Sequence, residues 1–214
     1  DLGGISDMDP ELPERLYEEG TEPQVEKINN CCRTSILELL DEKMPHEYNE
    51  VKKDPVFGPI LAIYDNSLAF SAILVHSLMC RQLVTAKKHE LWFVFARRPL
   101  RFSLQEYHAV TGLKCEDDGN YDLKRWVNDD GFWSRLLMRG DKVSIQSIRN
   151  QHIPNAHRWT RKDRLRLVYL SVISGLLMAK DEKVGIPHEY IKLVMDFSKL
   201  RAYPWGLHSF DHLV

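Results

Sequence analysis

Metal or nucleophilic chemistry in this chain would have to come from its four cysteines and nine histidines, and their spacing argues against it. Cys31, Cys32, Cys80 and Cys115 follow no C-x-x-C pattern of the kind that thiolate zinc sites use. The adjacent pair Cys31–Cys32 cannot easily bridge to itself, so reduced thiols are expected in place of a disulfide framework. His152 with His157, and His208 with His212, are spaced to clip a metal, but neither pair has a cysteine or an acid-rich stretch beside it. Any cysteine with a nearby histidine base is a nucleophile in principle, and none is favoured. G-x-S-x-G, a Gly-rich phosphate loop, H-E-x-x-H and G-x-G-x-x-G are all absent from the sequence. Neither a catalytic residue, a metal ligand nor a cofactor is therefore assigned, and the chain is expected to be non-enzymatic.

Surface recognition is what remains, and charge points to it. A net charge of −2 conceals an asymmetry: residues 1–26 hold nine acids against Arg15, a net of −8, whereas residues 135–166 hold nine Lys/Arg against Asp141 and Asp163, a net of +7. Residues 81–101 add six Lys/Arg against Glu90, a net of +5. A basic hairpin tip near a basic helix start is one way phosphate backbones are gripped. The candidate nucleic-acid contacts are Lys87, Lys88, Arg97, Arg98 and Arg101 in the first segment, and Arg158, Trp159, Arg161, Lys162 and Arg164 in the second. Arg158 or Arg161 beside Trp159 would reach base edges. The alternative reading of these charges is a solvated face, or one covered by the acidic arm.

The elements that must position these residues are mainly helical. Leu91, Phe93 and Phe95 alternate with Trp92 and Val94, the period-two pattern of a strand. A turn at Ala96–Pro99 returns the chain through Leu100–Phe102, and Ser103 with Glu106 caps a short helix that Gly112 ends. Phe93, Phe95 and Phe102 are expected to pack on Tyr107 or Val110. Upstream, residues 1–20 read as an acidic arm in which Leu12, Leu16 and Tyr17 dock as one helical turn. Thr21 and Gln24 then cap a helix running through Leu40. Pro45 opens a second helix, Asp54–Pro55 and Gly58–Pro59 mark a connection, and Asn66 caps a core helix with a stripe from Leu68 to Met79 containing His76. Downstream, short helices are expected over Tyr121–Val127, Phe132–Met138 and Ser144–Arg149, with a loop at Gln151–Asn155. Thr160 and Asp163 cap the central core helix, from Arg161 to about Lys180. Pro187 opens another helix, Tyr203–Gly206 form a turn with two aromatic anchors, and a last helix begins at Leu207. The expectation is a mainly α single helical domain over residues 21–214 with an inset β-hairpin at about 90–102.

The sequence starts with no basic region followed by an apolar one, and its longest apolar run falls short of a bilayer span. No signal peptide or membrane segment is read, and an intracellular chain is expected.

The hairpin region also carries a resemblance. E-L-W-F-V-F, P-L-R-F-S-L-Q-E-Y and T-G-L-K-C between Glu90 and Cys115 resemble the signature of the plant family called domain of unknown function 1985. L-P-E-R-L-Y-E-E-G and I-N-N-C-C extend it towards the start, and L-V-H-S-L-M-C-R-Q-L through the middle. R-L-R-L-V-Y-L-S-V-I-S-G, Y-P-W-G and F-D-H-L-V extend it to the end. Strand, turn and capped helix ending in T-G-L are similar, more distantly, to the plant mobile domain of transposons. The resemblance implies a plant nuclear setting and kinship with proteins of Mutator-like transposable elements, where the domain stands upstream of a Ulp-type SUMO protease. It also implies kinship with anti-silencing proteins of VANDAL-type elements, which recognise short motifs in their own DNA. The protease residues belong to a separate domain, so none carries over. Arg33–Thr34, where many relatives have Lys-Pro, bears on where the first helix bends. The expected function is a nuclear recognition module binding DNA or chromatin, of unknown oligomeric state. The alternative is a protein-interaction domain that positions a SUMO-pathway protease.

Overall fold

The computed structural model describes residues 13–23, 31–66, 71–119 and 121–213, and helix is far more abundant than strand among them. The first helices are α1 (Ser35–Lys43), α2 (Pro45–Lys52), α3 (Gly58–Asp65) and α4 (Ala72–Met79). Pro45 is the first residue of α2, where a missing N–H costs nothing. Pro59 falls in the first turn of α3, so Gly58–Pro59 opens a helix and is not a connection. Asn66 ends α3, its amide donating back to the Ala62 carbonyl, and Ser71 caps α4. The expected helix from Thr21 falls largely on residues outside the described ones. Where it is described, residues 31–33 are not helical and α1 starts at Ser35. There the Arg33 N–H is taken up by the Gly175 carbonyl.

Three antiparallel strands follow in the order β1 (Gln82–Leu83), β2 (Glu90–Phe95), β3 (Arg98–Ser103). The hairpin is therefore part of a small sheet, and the turn is tighter than expected: Phe95 pairs with Arg98, leaving Ala96 and Arg97 as a two-residue loop. Both have positive φ, 49° and 60°. The outer edge of β1 is extended by the N-terminal segment, where Arg15 bridges Leu83 and the Leu16 N–H donates to Gln82. Leu16 and Tyr17 consequently form a bend and not a helical turn, and Leu12 lies outside the described residues.

Ser103 then caps α5 (Leu104–Thr111) in a reciprocal box with Glu106, and Gly112 ends it with φ 70°. The Ser103 hydroxyl and Arg101 hold the Glu106 carboxyl down to about 2 from an ordinary 4.5. A depressed carboxylate stabilises above its ordinary value and loses that contribution as pH falls through the folded one. The α5 amides are thus expected to exchange faster as pH drops from about 4.5 to about 2. In Glu106→Gln, hydrogen exchange corrected for intrinsic rates should lose that pH dependence.

Phe102 stacks on Phe210 at 5.8 Å, and Tyr107 meets both edge-on. Phe93 is buried as expected, but Phe95 (64% exposed) and Val110 (69% exposed) are not part of this cluster. The sheet is joined to the helical body through α5 and α12 (Trp205–Leu213), where the Tyr107 hydroxyl lies 2.9 Å from Ser209 Oγ.

Residues 121–127 are not helical; α6 (Phe132–Arg139) is, and Gly140 closes it in the left-handed region. Ser144 and Ser147 cap each other at the start of α7 (Ile145–Ser147), which continues as a π-turn (Ile148–His152), α8 (Ile153–Asn155) and a 3₁₀ turn (Ala156–Arg158). Gln151–Asn155 is thus helical, not loop. Thr160 caps α9 (Arg161–Val172), which widens into a second π-turn (Ile173–Leu177). The helices α10 (His188–Met195), α11 (Phe197–Ala202) and α12 complete the chain. From Leu165 to Gly175 α9 and its π-turn are buried on every side, and α2 and α10 pack against α9. No helix among the described residues is long and apolar enough to cross a membrane.

Candidate nucleic-acid interface

The basic segment 135–166 divides into two sets once the partners are known. Arg161 pairs with Glu50 of α2, Arg164 lies 2.7 Å from Glu47, Lys162 lies 3.4 Å from Asp129, and Arg149 lies 2.9 Å from Glu182. Arg166 is buried, donating to Asp129 at 2.6 Å and to Asp163 at 3.0 Å. These five cations secure the fold. The expected basic start of α9 is therefore neutralised by acids more than a hundred residues away, on α2, and by Asp129.

Arg139 and Lys142 make no ion pair among the described residues, Arg135 donates to the Asp130 carbonyl, and Arg158 donates to His157. Arg135, Arg139 and Lys142 line one cleft of about 400 Å³ with Phe132, Gln151 and His152. Phe132 lies flat on Trp159 at 3.9 Å and edge-on to Trp133 at 5.0 Å, and His152 is 5.2 Å from Phe132. Trp159 thus supports the cleft from behind, and Arg158 is exposed beside it. Burial pushes the His152 imidazole below its ordinary value, so it is neutral near pH 7.

The hairpin supplies a second basic patch. Arg97 and Arg98 are exposed at its tip and, like Lys88, make no ion pair among the described residues. Lys87 sits over the Trp92 ring at 5.8 Å and 3.9 Å from Glu90, while Arg101 lies 2.7 Å from Glu106. Of the candidates chosen from sequence, Lys88, Arg97, Arg98 and Arg158 pair with no carboxylate among the described residues, whereas Lys87, Arg101, Arg161, Lys162 and Arg164 do. Arg135, Arg139 and Lys142 were counted in the basic segment without being singled out. Their signal was the i, i+4 spacing of two arginines on a helix with no acid three or four residues from either.

The histidines and cysteines do other work. His76 contacts the Pro23 carbonyl at 3.2 Å and Cys80 at 3.4 Å. His208 stacks on Tyr203, His212 meets the Ala179 carbonyl, and no cluster of three or more metal-binding side chains occurs among the described residues. Cys80 is buried, Cys31 and Cys115 are half-buried and Cys32 is exposed, and none of the four is in a disulfide.

The core helix expected after Asn66 also differs, and Leu68 of its stripe lies outside the described residues. The expected core helix α4 has no buried residue; Ile73 is 85% and Leu74 60% exposed, with Val75 and Met79 also on the surface.

No curated protein and no solved structure matches this chain. Residues 79–214, which run from the end of α4 through the sheet, the cleft and the central helix, match the family described as Domain of unknown function (DUF1985), and the chain belongs to that family.

Proposed function

We propose that this chain is a non-enzymatic nucleic-acid recognition module acting in the nucleus, in keeping with its resemblance to transposon-derived anti-silencing proteins. One observation supports this above the rest: among the described residues, five cations with no acid to pair with gather at two places, Arg97 and Arg98 at the hairpin tip and Arg135, Arg139 and Lys142 at the α6 cleft. Elsewhere in the segments at 81–101 and 135–166, most cations are used up in ion pairs. Phosphate contacts by Lys and Arg release condensed counterions, so affinity must fall steeply with salt. For about five contacts, log affinity against log salt should have a slope near −4.5. Reversing Arg97 and Arg98 to Glu should weaken binding to every DNA sequence and make the slope less steep by about 2. A wild-type chain that binds no DNA even near 50 mM salt would overturn the reading.

The hairpin turn offers a second test. Positive φ at a non-glycine residue costs roughly 1–2 kcal/mol, and two-residue loops of this kind favour Asn-Gly. Ala96→Asn with Arg97→Gly is expected to raise stability by about 1 kcal/mol in denaturant melts while reducing DNA affinity. Equal affinity would remove Arg97 from the interface.

The apolar surface of α4 favours a second reading, a protein-interaction domain that positions a SUMO-pathway protease. Under that reading DNA affinity is negligible and insensitive to Arg97 and Arg98.

A further inference from the structure

We propose that the cleft between α6 and the helical run beginning at Ser144 is a nucleotide subsite, accepting the base and phosphate of one unstacked nucleotide from a single strand. The assignment rests on the nucleic-acid reading above and goes beyond it by naming the ligand and its two recognised parts.

The phosphate half follows from charge. Arg135 and Arg139 are one turn apart on α6, and Gly140 ends the helix so that Lys142 lines the same opening. Asp141 is the one acid in the lining, leaving it at +2 with three cations against one carboxylate. Like charges at i, i+4 repel along a helix, and no carboxylate among the described residues pairs with either arginine. An anion with several oxygens would relieve that repulsion, and two guanidinium groups with an ammonium suit a phosphate.

The base half follows from the wall behind the cations. Phe132, stacked on Trp159 and at right angles to Trp133, lines the cleft together with His152, a second, uncharged ring. Aromatic platforms beside a basic groove are how single strands are bound without sequence choice, because every base has a π-face. The Gln151 side chain, exposed on the rim, can both donate to and accept from a base edge. At about 400 Å³ the cleft is the size of a small-ligand site, which admits one nucleotide and not a duplex.

The test uses the 214-residue chain with a labelled single-stranded deoxythymidine oligonucleotide, followed by fluorescence anisotropy, beside a duplex of equal length. The single strand should bind more tightly than the duplex. Arg135→Glu with Arg139→Glu should lower single-strand affinity about tenfold or more while leaving the thermal melt unchanged. Lys142→Glu, outside any helix, gives the same readout should the double variant melt early. Deoxythymidine monophosphate should displace the strand where thymidine and inorganic phosphate, each carrying half of the ligand, do so far less. Duplex binding with no single-strand preference, unaffected by these variants, would overturn the subsite and leave the wider nucleic-acid reading standing. Absence of binding to either form would sink both. A phosphotyrosyl peptide that displaces the strand better than the monophosphate would assign the cleft to a phosphoprotein and overturn the proposal.

Discussion

Arg166→Met should destabilise the protein by about 3–5 kcal/mol, although methionine fills much of the same space. Arg166 is buried in the wall of the central helix, with Asp163 on one guanidinium nitrogen at 3.0 Å and Asp129 on the other at 2.6 Å. Removing the cation leaves two carboxylates facing each other in a poorly solvated place. Asp163 cannot move away, because it also accepts from the Phe132 N–H at 3.1 Å and from the Thr160 hydroxyl at 3.1 Å. Denaturant melts measure the loss directly. Adding Asp129→Asn and Asp163→Asn should recover part of it, since no buried charge is then left unpaired and Lys162, which loses Asp129, is exposed. Acid supplies a further check. Burial alone would raise the Asp129 carboxyl, but bonds from Arg166 and Ser134 and the Arg166 charge outweigh it, holding the group well below its ordinary value. Its stabilisation is therefore present above the usual carboxylate range and lost as pH falls below about 4. The gap between wild type and Arg166→Met should narrow over that range; a constant gap would show that the arginine acts by packing alone.

Trp205→Ala should cost about 3–5 kcal/mol, or roughly 6–20 °C in melting temperature. Trp205 is fully buried at the start of α12, and its ring meets Phe57 at 6.0 Å, Tyr190 at 5.7 Å and Tyr203 at 4.5 Å. Its indole N–H donates to the Leu200 carbonyl at 2.8 Å. One side chain thus links the segment before α3 to α10 and α11, and truncation would leave a large cavity and an unanswered carbonyl. Trp126→Ala, at a half-buried position in an irregular segment, should cost much less. Equal losses in calorimetry would mean that Trp205 is not a keystone of the core.

Local chemistry made much of the fold legible. Ser103 with Glu106, Thr160 with Asp163, Pro45, Pro187 and Gly112 all mark helix ends that the structure contains, because a cap is settled within four residues. The aromatic alternation at Leu91–Phe95 identified a strand for the same reason. Features that depend on distant partners were not legible. β1 is two residues long, and only its pairing with Trp92 and Phe93 makes it a strand. Asn66 reads equally well as the start or the end of a helix until the Ala62 carbonyl shows which. The stripe on α4 has the periodicity of a core helix, yet Val75 and Met79 are exposed and Ala72 and Leu78 only half-buried, since periodicity states that a face exists and not what covers it.

The candidate interface was harder still to read. Local charge counts placed its strongest basic cluster at the start of α9, and the fold spends those cations on Glu47, Glu50 and Asp129. The cleft emerged by subtraction, from cations left over once the ion pairs were assigned.

The triad of Asp129, Asp163 and Arg166 has a consequence for how such sequences diverge. Each member is tolerable only in the company of the others, so no single substitution leads smoothly from the charged arrangement to an apolar one. Descendants must either keep all three or lose them through a double or triple change that passes a poorly folded intermediate. Among relatives aligned over this region, an apolar residue in place of Arg166 should occur only where both carboxylates have gone too. Asp129 and Arg166, 37 positions apart, would then be inherited together with Asp163.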